Sequence, residues 1–310
     1  MPSKDILYSI GRTSVGQLIK AVDAEKGIAY TCPACSQVLI LRKGTRKRPH
    51  FAHKTLSPNC TPETALHYVF KTLLFGKIQK HFDHQLPLEM QWDCPACGGV
   101  HTGNLLKKAV KVVLEHNLGT CQPDIALLDE FNCTVAVIEV VVTHAPEQTA
   151  LDYYKNNHIA VVSYKLKSDE DFNRLDAPIL KPDSVDVCKN PKCSKCENYM
   201  SKKHLLIIDG NCWKCQAPMK VAALYEGNFS LSDIQLATQY GVLMKLHYSR
   251  TLGMKYVANT CRKCGAFIGD HYLFTDYVAV DSYNRQELDA GYYCHHCSSN
   301  SEDEDSEDFE

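Results

Sequence analysis

No stretch of this 310-residue chain approaches the run of ~20 apolar residues that a membrane-spanning helix requires, so a helical integral membrane protein is excluded. The opening residues, MPSKDILYSIGRTS, lack the apolar centre of a secretory signal peptide, and the expected setting is the reducing cytoplasm. A strong charge imbalance is also missing, because the formal net charge is only −2. That small number hides an uneven distribution. The last ten residues, SEDEDSEDFE, carry seven acidic side chains, and setting those aside leaves the remainder at about +5. A segment of this composition has nothing to bury and is expected to be disordered. It serves either as a solubilising end or as a nucleic-acid mimic competing for the protein's own basic surface.

Cysteine is abundant, with sixteen residues. Twelve of them fall in six Cys-x-x-Cys pairs, at 32/35, 94/97, 193/196, 212/215, 261/264 and 294/297. In a reducing compartment this grouping points to zinc rather than disulfides, with three or four structural Zn²⁺ sites expected. The length suits one core domain with satellites, or two domains.

In residues 1–60, Gly16–Ala29 is expected to supply one or two short strands ahead of Cys32 and Cys35. His50 and His53 follow within HFAH. Two Cys at a knuckle and two His three apart suit a tetrahedral Cys2His2 zinc module. Between the two pairs lie Arg42, Lys43, Arg46, Lys47 and Arg48. Five cations in seven residues on a pinned hairpin suit contact with a phosphate backbone, the alternative being a solvated basic loop.

Thr61 and Pro62 read as an N-cap and first helical position. In the helix that follows, from Glu63 to about Gln79, Leu66, Val69, Phe70, Leu73 and Leu74 form an apolar face, and Glu63, His67 and Lys71 recur every four residues along its flank. Residues 92–104 interrupt the pattern with the knuckle Cys94–Cys97, for which His101, Cys121 and Cys188 are all candidate completing ligands. Lys111–His116 reads as a strand carrying Glu115. Gln122–Leu128 and Thr134–Val142 read as two further strands, a helix follows from Pro146, and His158–Tyr164 closes the run. Glu139 stands in the middle of an apolar strand, where an unpaired carboxylate is costly. Asp124 on the neighbouring strand is placed to bring a second carboxylate to the same point, and two hard oxygen donors suit a divalent cation such as Mg²⁺.

Lys167–Asp186 reads as a linker broken by prolines. Beyond it, Cys193/Cys196 and Cys212/Cys215 are spaced as one zinc ribbon in residues 167–220, and Cys261/Cys264 with Cys294/Cys297 as a second ribbon in 221–300. A helix is expected from Ser232 towards Leu246, and YLFTDYVAV (272–280) reads as a strand. Four closed ligands per site make these modules staples rather than catalysts.

The order Pro123-Asp124, turn, Ile138-Glu139, helix, strand resembles the core of the PD-(D/E)XK nuclease superfamily. YTCPACSQVLILRKGTRKRPHFAHK followed by ETALHYVFK resembles the competence protein CoiA-like family, which joins a small zinc module to such a core. The resemblance covers about residues 16–165. It implies an α/β, restriction-endonuclease-like core at 61–166 and a Mg²⁺- or Mn²⁺-dependent endonuclease that hydrolyses DNA, with its zinc modules gripping the nucleic acid. Asp124 and Glu139 then hold the metal with Glu63 as a third acidic ligand, and His67 and Lys71 lean into the same cleft. The superfamily Lys two residues after the Glu is replaced by Val141, so a cation from another element is needed. Lys155 is the migrated candidate, with Thr143 and His144 as others. Superfamily habit implies a homodimer, and the family implies a role in DNA uptake, recombination or defence. A protein partner is expected to meet the distal ribbons or the acidic tail. The competing expectation, favoured by Val141, is a nuclease fold retained without hydrolysis as a nucleic-acid-binding or scaffold module.

Overall fold

The computed structural model describes residues 7–45, 47–55, 60–225, 229–249 and 253–300. The expectations for Arg46 and for the acidic tail 301–310 lie outside these residues. The chain forms two compact units that divide at Val187–Cys188, with the loop tip Pro95–Gly99 grouped with the second.

The first unit opens with a five-stranded antiparallel sheet of β1 (Ile10–Arg12), β2 (Leu18–Lys20), β3 (Tyr30–Thr31), β4 (Val38–Arg42) and β5 (His50–His53), in the order β2-β1-β3-β4-β5. Tyr30, Leu39 and Phe51 form its small core. A Cβ at Gly11 would lie 2.9 Å from the Phe51 ring, so only glycine lets that ring cross β1.

Helix α1 (Pro62–Asp83) starts where the sequence predicts, with the Thr61 hydroxyl accepting from the Thr64 amide. Leu66, Val69, Phe70, Leu74 and Ile78 are its buried face. The hairpin β6 (Glu89–Asp93) and β7 (Val100–Asn104) is inserted next. A second five-stranded sheet follows, containing β8 (Lys111–Leu114), β9 (Ile125–Leu128), β10 (Thr134–Val141), β11 (Ala160–Lys165) and β12 (Ser184–Val185) in the order β12-β11-β10-β9-β8. β8, β9 and β10 form an antiparallel meander, and α2 (Gln148–Asn156) then returns the chain so that β11 runs parallel to β10. The apolar composition of β9 follows from its interior position between β10 and β8, where all four residues are buried.

The expected linker is part of this unit instead. Asp169–Leu175 is a 3-10 helix with a capping box at Ser168, burying Phe172 and Leu175, and β12 pairs with β11. The prolines at 178 and 182 fall between these two elements rather than within either.

The second unit is built on β13 (Ser201–Asn211), β14 (Pro218–Leu224) and, beyond α3 (Leu231–Gln239), the hairpin β15 (Met244–Ser249) with β16 (Met254–Asn259), the short helix α4 (Asp270–Leu273), β17 (Arg285–Tyr293) and α5 (His295–Asn300). Its main sheet has the order β14-β13-β17. The boundary expected at 220/221 falls inside β14. The helix expected to reach Leu246 stops at Gln239, where Gly241 takes a φ of 90° and β15 begins. YLFTDYVAV is helical rather than extended: α4 runs into a π-helical turn at Phe274–Val278. Leu273 and Tyr277, four apart, are its buried anchors, which is a helical spacing.

Candidate active site and metal centres

The Cys-x-x-Cys pairs do not all turn alike, since Cys297 lies within α5. In four of them, the amide of the residue after the second Cys donates to the carbonyl of the first: Ser36 to Cys32, Glu197 to Cys193, Gln216 to Cys212 and Gly265 to Cys261. Each of those following residues adopts a positive φ, between 58° and 71°. Three are not glycine, a conformation that costs free energy unless the surroundings fix it. Such a turn aims both thiolates at one point.

Four Cys-rich groups in the described residues bring their ligand atoms within 4.8 Å of one another and are able to hold zinc. A tetrahedral site with Zn–S bonds of ~2.3 Å has S–S edges of ~3.8 Å. The Sγ separations fit that shape: 3.7 Å for Cys32–Cys60, 3.8 Å for Cys193–Cys297, 3.5 Å for Cys196–Cys294, 3.6 Å for Cys212–Cys264 and 3.7 Å for Cys215–Cys261.

In the N-terminal module the group is Cys32, Cys35, His53 and Cys60, with Cys35 Sγ 3.2 Å from His53 Nε2. This differs from the expected Cys2His2 set, because His50 is outside it. Side chains alternate faces along a strand, so residues 50 and 53 of β5 point to opposite sides. His50 turns its Nδ1 to the Arg48 carbonyl at 2.9 Å. Cys60, which had no role from sequence, takes the place, and the Tyr8 hydroxyl donates to its carbonyl at 2.6 Å. A Cys directly before a helix N-cap was the available signal.

In the second unit the pairing is nested rather than sequential. Cys193 and Cys196 join Cys294 and Cys297, while Cys212 and Cys215 join Cys261 and Cys264. The cause is β13. Its eleven residues carry the chain ~35 Å from the first knuckle to the second, so these cannot meet. β17 runs antiparallel to β13 with Ser201 opposite Tyr293, delivering the last knuckle beside the first. The fourth group is built around Cys94, Cys97 and His101, all buried on the β6–β7 hairpin. Cys121 lies elsewhere, beside the Tyr154 hydroxyl.

A different cluster forms in the first unit where β9, β10 and α1 meet. Asp124 immediately precedes β9, and its Oδ2 accepts the Val140 amide of β10 at 2.8 Å. His67 Nε2 lies 3.0 Å from the same oxygen, and Lys71 Nζ lies 3.3 Å from Oδ1. Lys71 also donates to Glu115 Oε1 at 2.6 Å. Glu115 has a φ of 48° just after β8, and its amide is tied to the Asp124 carbonyl, which turns it towards Lys71. Glu139 is half-buried on β10, and Tyr154 of α2, itself buried, donates its hydroxyl to Oε1 at 2.7 Å.

The two carboxylates differ in protonation. Burial pushes Glu139 up to about 7, helped by the Asp124 charge and opposed by the Tyr154 hydrogen bond. Burial acts the same way on Asp124, but the His67 hydrogen bond and charge, the Val140 amide and Lys71 outweigh it and hold the acid below its usual range. Lys71 is pulled down by burial and lifted more strongly by Glu115 and Asp124, so it stays a cation.

The structure thus gathers Asp124, Glu139, His67 and Lys71, and adds Glu115 and Tyr154. Glu63 lies one turn before His67, buried, with Oε1 making no hydrogen bond. Lys155 is exposed on the last turn of α2, and it is the adjacent Tyr154 that reaches Glu139. Thr143 and His144 are exposed and bonded to each other. Asp124 and Glu139 belong to no group of three or more Cys, His, Asp or Glu ligand atoms among the described residues. In the basic run, Arg48 pairs with Asp169 at 2.6 Å and Lys43 caps the Val22 carbonyl at 2.8 Å, while Arg42 and Lys47 are exposed.

The fold and centres define a mixed α/β protein, mostly sheet, with several Cys-rich groups suited to zinc. Residues 16–62 match the model of the N-terminal domain of competence protein CoiA, so the similarity covers the N-terminal zinc module and the start of α1. No curated protein and no solved structure matches it. Among the described residues, no helix is long and apolar enough to cross a membrane.

Proposed function

We propose that the run α1–β8–β9–β10–α2–β11 is a PD-(D/E)XK-type core and that the chain is a Mg²⁺- or Mn²⁺-dependent nuclease hydrolysing DNA phosphodiester bonds. The observation that carries this reading is Lys71, a buried cation on α1 that reaches the Asp124 carboxylate. It supplies from a helix the charge that Val141 cannot supply from β10. Asp124 and Glu139 fit a hard divalent cation by donor chemistry, with water or phosphate oxygens completing the shell. A bound metal offsets phosphate charge and makes water a nucleophile near neutral pH. The residues' own work is then separable. Asp124 stays ionised, Lys71 offsets charge developing on the phosphate, and Tyr154 fixes the Glu139 rotamer. The unpartnered oxygen of buried Glu63 supports it as a third acidic group. Lys155 has no part in this scheme. Among the described residues of the basic run, Arg42 and Lys47, exposed at the end of β4 and in the loop after it, are the cations free to meet the backbone of the nucleic acid.

A second reading has one observation in its favour. Both oxygens of Asp124 already have partners in His67, Lys71 and the Val140 amide, so the cluster is electrostatically closed without a metal. That suits a nuclease fold kept for nucleic-acid binding alone.

Cleavage of plasmid and linear DNA by the zinc-loaded chain with Mg²⁺ or Mn²⁺, beside Glu139→Ala and Lys71→Met, separates the two. Cutting by the wild type that falls at least a hundredfold in both variants is expected. Equal silence in all three, with DNA still shifted in a gel, would establish the binding-only protein.

A further inference from the structure

The second unit holds an open groove of about 880 Å³ beside the Cys212/Cys215/Cys261/Cys264 centre. Its lining is aromatic: Trp213, Tyr248, Tyr256, Phe267 and Tyr272 all contribute. Trp213, Tyr248 and Tyr272 are 58 %, 58 % and 61 % exposed, a large apolar surface to leave in water at one place. The platform is held rigid. Trp213 Nε1 donates to the Phe267 carbonyl of the facing knuckle at 3.1 Å, and Phe267 is stacked against His247 with ring centroids 4.4 Å apart.

Charge decides what such a surface takes. Lys214 lines the groove from the same knuckle as Trp213, Lys255 is the cross-strand partner of Tyr248, and Lys263 occupies the facing knuckle, whose Arg262 turns away to the Gly241 carbonyl. Among the described residues, the one acidic side chain in the lining, Asp276, accepts the Thr275 hydroxyl. Exposed rings interleaved with cations suit a ligand that has flat faces and a polyanionic backbone, and they repel a cationic peptide.

We propose that this groove binds single-stranded nucleic acid, with unpaired bases stacking on Trp213, Tyr248 and Tyr272 and phosphates meeting Lys214 and Lys255. The proposal deepens the nuclease reading by naming unpaired strand as what the second unit holds, and it rests on that reading only for its biological use.

The chain has two tryptophans, and Trp92 is buried on β6, so Trp92→Phe leaves Trp213 as the sole emitter. The test titrates oligo(dT) and a duplex of equal length into the zinc-loaded, full-length Trp92→Phe chain without Mg²⁺ or Mn²⁺, following Trp emission and acrylamide access. It is repeated in Trp92→Phe/Glu139→Ala, where hydrolysis is removed. Saturable quenching by the single strand, with Trp213 shielded, is expected in both, weakening about fivefold or more in Tyr272→Ala and in Tyr248→Ala. Quenching that is equal for the duplex overturns the proposal, as does single-strand binding by anisotropy that leaves Trp213 unaffected, or quenching by a trimethyl-lysine peptide alone. If Trp213 responds while the wild-type chain cleaves no DNA with Mg²⁺ or Mn²⁺ added, the nuclease reading fails and this one stands.

Discussion

Lys71 and Tyr154 set the character of the carboxylate pair, and each can be tested by a single atom group. Lys71→Met leaves the buried side of Asp124 short of a charge partner. Because Glu115 is 57 % exposed and Asp124 only 14 %, the loss of stability is expected at about 1–3 kcal/mol, between surface and fully buried pairs, measured by urea unfolding. Tyr154→Phe removes the hydrogen bond that favours ionised Glu139. The Glu139 pKa, about 7 in the fold, then moves higher, and the acid limb of any pH–rate profile shifts to higher pH. The linkage runs the same way. Glu139 keeps its proton in the fold above its ordinary pKa of 4.5, so its contribution favours folding below that pH and is lost as pH rises through about 7. Asp124, Glu139, His67 and Lys71 were legible in sequence because a carboxylate in an apolar strand and an i, i+4 polar stripe are both local patterns. Tyr154 was not, since an aromatic on an amphipathic helix reads as core until its hydroxyl is seen to find Glu139.

At the scale of single elements, the knuckles carry the sharpest predictions. Cys60→Ser is expected to lose one zinc equivalent by metal analysis and His50→Ala none. Cys212→Ser and Cys261→Ser are each expected to lose one equivalent, and their combination still one, whereas Cys212→Ser with Cys294→Ser loses two. α1 and α2 could be read because one face of each is buried, and β10 from its apolar run, buried on both faces. YLFTDYVAV could not, because its β-branched and aromatic residues favour a strand by propensity while the packing of Leu273 and Tyr277 selects a helical turn. The 3-10 helix at Asp169–Leu175 hid in the same way. Its sequence is acidic and polar, and only Phe172 and Leu175 are buried.

For the molecule as a whole, the two units follow different logic. The first has an apolar sheet of its own, and the second has small cores on the two faces of β13 and β14 with two Cys-rich groups suited to zinc. Lys203 and Asp233 form a buried ion pair in that second unit, and the Asp233 carboxylate also accepts from Ser230. Asp233→Ala removes the carboxylate from a buried ion pair and is expected to cost about 3–5 kcal/mol by denaturant unfolding. Despite burial, Lys203 and Ser230 hold the Asp233 pKa below its usual value of 3.8, so its stabilisation is complete above that pH and is lost as pH falls below it. Asp233→Asn is expected to flatten that acid limb. Spacing alone suggested two ribbons in tandem. Knuckle spacing records only how far apart ligands lie along the chain, and an eleven-residue strand between two knuckles overrides it.

Nested closure also sets an order of events during synthesis. Cys193 and Cys297 are 104 residues apart, so the thiols of the first knuckle are made long before their partners leave the ribosome. The inner centre, from Cys212 to Cys264, can be completed earlier, and the outer one must wait for the final strand and helix. A chain stopped short of Tyr293 would therefore carry Cys193 and Cys196 without the two cysteines that complete their group.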